Sequence, residues 1–335
     1  MKKKLFKSLA GSLISLIIFI PAELFAKPYY EGKVIKLISS HGVGGGYDRT
    51  ARILAKFLPK HIPGKPAIIV ENMPGASTII ATNYLYNIAK PNGLTIGDFD
   101  QGLPFAQMLK SPEARFDLTR FAWIGSAGSD PAVLGIRADL PFKTFDDLRK
   151  VKRPIYLGAN SPGATDYQYA ALIRGILGLD IKIVVYPSSS ETRLAMERKE
   201  IDGKAGLYNS YKPTVENGSA RLVLRGQMSV PEIQNLPVDA DLAADSMGKT
   251  LFQMRSIPDR VSRPYIAPPG TPPEVMNILR EAFARTINDP EAKGEAKRVL
   301  MELNYVRADE CLQVYKYLFN QPAEVVKEFG KYVKF

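Results

Sequence analysis

Apolar and polar positions along the chain alternate between two periods, two residues and about 3.6 residues. Val34 to Ser39 alternates and is β-branched, whereas Tyr47 to His61 places Ile53, Leu54, Phe57 and Leu58 on one helical face. With the short buried strand expected at Ala67 to Val70, these segments predict a βαβ unit. A helix over Ala76 to Asn87 follows, then a strand over Leu94 to Phe99 after the turn Pro91-Asn92-Gly93, which extends the unit into a parallel sheet covered by helices. A second block repeats the syntax: helix Thr144 to Lys150, strand Ile155 to Gly158, helix Thr165 to Leu177, strand Ile181 to Tyr186, helix Glu191 to Lys199 and strand Leu222 to Gln227. Beyond Ala267-Pro268-Pro269-Gly270-Thr271-Pro272-Pro273 only helices are expected, over Glu274 to Asn288, Glu291 to Leu303 and Glu310 to Phe329. A tail of that kind must pack on a sheet already built. The expected class is α/β, with two lobes joined by crossing segments.

Composition narrows the chemistry. The 335 residues are 45% hydrophobic, which is ordinary for a globular protein and enough for two domains with their own cores. A single cysteine, Cys311, excludes a disulfide framework and any multi-cysteine metal site. Two histidines, His41 and His61, exclude a zinc site of several imidazoles. His61 reads as a helix-end residue and His41 as a loop residue.

The first 26 residues have the order of a secretory signal peptide: Lys2, Lys3, Lys4 and Lys7, an uncharged apolar run from Leu9 to Ile20, Pro21, then Ala26. The run is shorter than the roughly 20 residues that cross a bilayer, so a cleaved signal is expected in preference to an anchor, and a periplasmic product with it. The whole chain carries 45 Lys and Arg against 34 Asp and Glu. Removing residues 1–26 takes away four Lys and Glu23, leaving a net charge of +8. These positive residues are scattered singly, as at Arg49, Arg52, Lys56 and Lys60, so no nucleic-acid partner is expected and the charge reads as a mild attraction for anions.

Two glycine-bearing loops lie between a strand and a helix. The first is His41-Gly42-Val43-Gly44-Gly45-Gly46-Tyr47-Asp48 and the second is Ala159-Asn160-Ser161-Pro162-Gly163-Ala164-Thr165-Asp166. Each offers close backbone approach and the unpaired N–H groups of a helix start, which suits an anion. Ligands of open α/β sheets bind beyond the carboxyl ends of the strands, so the two loops predict one cleft between two lobes. The rival is an exported nucleotide-dependent oxidoreductase with a Rossmann-like fold. Its third glycine is missing in both registers, where Tyr47 or Arg49 stands, although Glu71 resembles the acid that grips a ribose. A Walker loop is excluded, because no Gly-Lys-Ser/Thr follows the glycines.

Three stretches in order, Gly44-Gly45-Gly46-Tyr47-Asp48 with Ala51-Arg52, Val70-Glu71-Asn72-Met73-Pro74-Gly75-Ala76, and Ala89-Lys90-Pro91-Asn92-Gly93-Leu94-Thr95-Ile96, resemble the opening of the Bug proteins. These are the periplasmic solute-binding receptors of tripartite tricarboxylate transporters. Asn160-Ser161-Pro162-Gly163, Glu216-Asn217-Gly218-Ser219-Ala220-Arg221-Leu222 and Ala267-Pro268-Pro269-Gly270-Thr271-Pro272 continue the resemblance over nearly all of the mature chain. Two places depart from it: Tyr47 stands where a small or hydroxyl residue is commoner, and Ser262-Arg263-Pro264-Tyr265 replaces a usually Trp-bearing stretch.

The resemblance implies a type II periplasmic-binding-protein fold, the two-lobed Venus flytrap. Residues 27–133 and 264–335 would form one lobe and 134–263 the other, with crossing strands near Val133 to Ile136 and Arg263 to Ala267. It implies a small carboxylate held largely by backbone N–H groups and water, and a membrane permease that recognises the closed form. Gly45, Gly46, Tyr47 and Asp48 would serve one lobe, and Ser161, Gly163, Ala164 and Thr165 the other. Gln101, Gly102, Tyr208 and Asn209 are further choices at strand ends. Tyr47 would stack on an aromatic carboxylate, close the pocket, or lie on the surface. No catalysis, cofactor or metal is implied, and a monomer is expected.

Overall fold

Alternation at Val34–Ser39 (β1) buries Ile35 and Leu37 on one face, where the apolar stripe of Gly46–His61 (α1) covers them with Ile53, Leu54 and Leu58, and turns Ile38 to the opposite face, which is buried as well. These elements open a computed structural model that describes residues 27–335; the expected signal segment lies outside the described residues. The chain continues through Ala67–Asn72 (β2), Ile79–Asn87 (α2), Thr95–Asp98 (β3), Pro104–Met108 (α3) and Ala122–Ser126 (β4). It then crosses to a second sheet: Ala132–Arg137 (β5), Phe145–Arg149 (α4), Ile155–Ala159 (β6), Thr165–Leu177 (α5), Ile181–Val185 (β7), Ser189–Glu197 (α6), Gly203–Leu207 (β8), Tyr208–Glu216 (α7), Ala220–Arg225 (β9) and Ser246–Ser256 (α8). Pro264–Ala267 (β10) returns to the first sheet, followed by Pro273–Asn288 (α9), Pro290–Arg298 (α10), Val306–Arg307 (β11), Ala308–Phe319 (α11) and Ala323–Phe329 (α12).

The first sheet runs β11-β4-β10-β3-β1-β2 and the second β7-β6-β8-β5-β9. Both are mixed. β1 is parallel to β2 and β3, as expected of the first block, while the returning β10 adds antiparallel pairs with β3 and β4. The tail also contributes one strand where none was expected, β11, whose two residues pair with β4. Gln321-Pro322 breaks the helix expected over Glu310 to Phe329 into α11 and α12, because proline cannot continue the ladder.

Two chain segments join the sheets, and they are hydrogen-bonded to each other. The Ala127 N–H donates to the Arg263 carbonyl (2.9 Å), Ser262 N–H to Gly128 (2.9 Å) and Asp130 N–H to Asp259 (3.0 Å). The crossing therefore runs through 127–131 and 257–263. Val133 to Ile136 lies inside β5 of the second sheet, and β10 belongs to the first. Apolar packing continues across the junction: one cluster links Ile38, Phe99 and Phe105 to Phe145, Tyr169 and Phe252, with Phe329 of α12 among them. No helix of the described residues is long and apolar enough to cross a membrane.

Candidate functional site

Both glycine loops leave the carboxyl ends of parallel strands, β1 and β6, and they face one cleft of about 350 Å³. Of the expected residues, Gly45, Gly46, Tyr47, Ser161, Ala164 and Thr165 line it. Gly45 and Ala164 are the N-caps of α1 and α5, with φ of −71° in each, and neither cap receives a side-chain hydrogen bond. The first-turn N–H groups at the start of α1 thus open into the cleft with the positive end of the helix dipole behind them.

The other six expected residues sit behind the wall. Asp48 is 1% exposed and braces the loop: it accepts from the Gly44 N–H (2.8 Å), from Asn72 Nδ2 (2.8 Å) and from Arg52 Nε (3.0 Å). Burial pushes its carboxyl up, but these donors outweigh it and hold the group below the usual range. Gly102 leaves no room for a Cβ, which would fall within 3.0 Å of Gln168, Thr165 and Asp100 atoms. Gln101 is buried, its N–H donating to Tyr47 Oη (3.0 Å) and its amide to Asp259 (2.7 Å). Gly163 supplies a left-handed turn (φ +85°) under the Phe335 ring. The Tyr208 N–H donates to the Pro131 carbonyl, and the Asn209 N–H to Asp130 Oδ1 (3.0 Å), so both tie the start of α7 to the crossing segment.

Tyr47 is not a surface residue. Its ring stacks on His41 (centroids 4.0 Å apart, planes 5° apart), the Arg263 guanidinium lies 5.8 Å from its centroid, and all three residues line the cleft, so the ring helps to build the wall. His41 lines the cleft as well, whereas His61 ends α1 against Asp289 (2.9 Å). Glu71 pairs with Lys36 on the sheet (2.6 Å) and is absent from the cleft wall, so it is not placed to grip a ribose there.

Charged side chains in the cleft were not anticipated. Asp100 reaches from the first lobe to the start of α5, accepting from Thr165 Oγ1 (2.5 Å), the Thr165 N–H (3.2 Å) and the Gly102 N–H (2.7 Å), with His41 Nε2 at 3.4 Å. Burial opposes its ionisation, but these donors keep its carboxyl below the usual range. An internal carboxylate thus already occupies the second helix N-terminus. Arg263, 1% exposed, shares Asp130 Oδ2 through both Nη atoms (3.4 and 3.3 Å). Lys204 and Asp166 complete the set; burial and the nearby Asp100 charge raise the Asp166 carboxyl to about 6.

The cleft edge also carries backbone strain. Ala76, Ser77 and Thr78 have φ of 44°, 51° and 71°, each disfavoured by roughly 1–2 kcal/mol for an L-residue, so the expected helix starts only at Ile79. This turn brings Ser77 Oγ to Ser161 Oγ (2.9 Å) and to the Pro162 carbonyl of the opposite lobe.

A family model described as tripartite tricarboxylate transporter family receptor (TctC) matches residues 50–330. The chain belongs to this family. The receptor is 22% identical to a UPF0065 protein of Cupriavidus necator over 317 residues, 93% of this chain and 91% of that one. Its fold matches the periplasmic binding protein BugD with a TM-score of 0.75 at 20% identity, covering 91% of the receptor and all of BugD. It also matches MatC from Rhodopseudomonas palustris, solved with bound malate, with a TM-score of 0.72 at 17% identity over 88% of the receptor and 99% of MatC. A receptor of this family binds its ligand without transforming it, and the rival oxidoreductase reading falls with the family assignment.

Proposed function

We propose that this receptor is exported to the periplasm after cleavage of residues 1–26, captures a small carboxylate between its two lobes, and presents the closed, monomeric form to a membrane permease of a tripartite transporter. The observation that carries the reading is the uncapped N-terminus of α1, whose N–H groups open into a cleft between two sheets. Malate bound to MatC, a protein of the same fold, supports the ligand class. Gly45, Gly46 and Tyr47 supply the anion seat, and Ser161, Ala164 and Thr165 close over it from the other side. Their contact with Ser77 and Asp100 across the cleft supports a closed arrangement in which both lobes enclose the ligand.

The test is a thermal-shift screen of the purified protein with aliphatic, aromatic and amino-bearing carboxylates. A ligand at 100 times its dissociation constant stabilises by about 2.7 kcal/mol, a shift of several degrees that is readily seen. Stabilisation by a nicotinamide or flavin nucleotide, with none by any carboxylate, overturns the proposal.

A further inference from the structure

Residues 330–335 follow α12 and run from the first lobe to the second glycine loop. At their start Phe329 stacks on Phe105 of α3 (centroids 4.5 Å apart, planes 25° apart), and the Gly330 backbone lies against Leu109. The N–H groups of Tyr332 and Val333 both donate to the Phe329 carbonyl (3.0 and 3.2 Å), so the chain turns there and buries Val333. Two rings then meet two glycines of the second lobe. Tyr332 covers Gly175 on α5, and Phe335 covers Gly163, each ring standing where a Cβ would project. Gly163 is therefore required twice, by its φ of +85° and by the ring that a side chain would displace.

Gly163 stands between Ser161 and Ala164, which line the cleft, whereas Phe335 lies behind the wall. On the cleft side the loop is held by polar contacts: Ser77 at Ser161 (2.9 Å), Gln168 Nε2 at the Gly163 carbonyl (2.6 Å) and Asp100 at Thr165 (2.5 Å). Water competes for each of those bonds when a cleft opens, so their net contribution is small. The half-buried Phe335 ring acts from the other side, where lifting the loop would expose apolar surface to water. We propose that Phe335 is a positioning residue for ligand binding, its ring backing Gly163 and keeping residues 161–165 in the shape that closes over the ligand. This rests on the receptor reading above. Without the ring the loop spends part of its time lifted, and apparent affinity falls by the fraction of closed loop that is lost. Residues 331–335 lie past the stretch matched by the family model, so the family assignment does not supply this role.

The experiment compares purified wild type, Phe335→Ala and Phe335→Leu by amide hydrogen exchange without ligand, by thermal melting and by calorimetric titration with malate and adipate. In Phe335→Ala the Ala164 and Thr165 amides are expected to exchange at least about tenfold faster, while the Gly44 amide of the first loop stays within about twofold. The melting temperature falls by less than about 4 °C, because one half-buried ring at the edge of the core is lost. Whichever probe binds wild type binds Phe335→Ala about 5- to 30-fold more weakly. Phe335→Leu, which refills the space over Gly163, returns exchange and affinity to within about threefold of wild type. Unchanged exchange in the second loop, an equal rise in both loops, or unchanged affinity beside a loosened loop overturns the proposal. If Phe335→Ala fails to fold, Phe335→Val takes its place, and the result required is at least about threefold faster exchange of the same two amides. The exchange measurement uses no ligand, so it decides the role of Phe335 even where wild type binds neither probe; that outcome counts against the carboxylate reading alone.

Discussion

The two glycine loops are built alike and behave differently. Gly45 and Ala164 cap their helices with the same φ of −71°, and an aspartate in the first turn folds back onto a loop N–H: Asp48 onto Gly44, Asp166 onto Asn160 (3.0 Å). The first acid has Arg52 at 3.0 Å and is held low; the second has Asp100 as its neighbour and, among the described residues, no cation within salt-bridge distance, and is raised. The donors differ too. The Ala164 N–H already donates to Ser161 (3.0 Å) and the Thr165 N–H to Asp100, whereas Gly45 lines the cleft and its N–H has no acceptor among the described residues. Identical local syntax makes an anion seat in one lobe and a filled one in the other, because the filling group comes from a distant strand end.

The largest way to break this comparison is to empty the filled seat. Asp100→Ala leaves the Thr165 hydroxyl and two backbone N–H groups without their acceptor and removes a link between lobes, so stability to urea falls by about 3–5 kcal/mol. A loss under 1 kcal/mol contradicts the role given to Asp100. The two first-turn acids should next separate by pH. A raised pKa in the folded state contributes stability below the unfolded value of 3.8 that is lost as pH rises through about 6, so the Asp166 contribution fades between pH 4 and 6. Asp48 has a lowered pKa, so its contribution is present above 3.8 and fades as the medium turns more acid. Urea unfolding of wild type and Asp166→Asn from pH 4 to 7 should show the variant gaining on wild type by up to about 3 kcal/mol as pH rises. A constant difference across that range leaves no raised carboxyl at Asp166.

Much of this architecture is legible in the residues, and the failures share a cause. The helix Thr165–Leu177 and the strand Val34–Ser39 coincide with the expected segments, and α1 starts within one residue of its expected bound because an apolar stripe opposite the exposed Arg52, Lys56 and Lys60 imposes the period. β8 reads Gly-Lys-Ala-Gly-Leu, is buried throughout, and has neither alternation nor β-branched residues to announce it. Gly203 there sits against the β5 backbone, where a Cβ would strike the Gly135 carbonyl, so packing and not propensity selects the strand. Lys204 goes unnoticed for the same reason: a lone lysine reads as a solvated face until the sheet around it is known. Asp100 and Arg263 reach the cleft through contacts 65 and 133 residues away in sequence, beyond the reach of any spacing argument. The one available hint was Ser262-Arg263-Pro264-Tyr265, already set apart as a departure from the family pattern.

A paired proline substitution sharpens the contrast between open and occupied donors. At φ −71° both caps accept a proline ring, so each variant deletes one N–H with little strain. Gly45→Pro should weaken carboxylate binding by about 10-fold or more, since a hydrogen bond to a charged acceptor contributes roughly 1.5–3 kcal/mol, while stability stays near wild type. Ala164→Pro should do the reverse, losing about 1 kcal/mol of stability with the Ser161 bond and little affinity. Calorimetry and urea unfolding on both proteins read the two effects separately, and equal affinity losses would show both loops to be open seats.

The smallest effect concerns the surface charges. If the scattered Lys and Arg held the ligand, affinity would fall steeply with salt, because exposed charges are screened over about 8 Å at physiological ionic strength. The seat proposed for the ligand is the N-terminus of α1, inside the cleft, where added ions do not intervene. Arg52 lies outside it, half exposed, and its work is to pair with Asp48, an exchange worth at most about 1 kcal/mol of stability. Arg52→Gln should therefore leave ligand affinity within twofold of wild type, and raising the salt from low to well above physiological strength should lower the wild-type affinity by less than tenfold. A drop greater than tenfold, matched by a comparable loss in Arg52→Gln at low salt, would move ligand capture from the cleft to the basic surface.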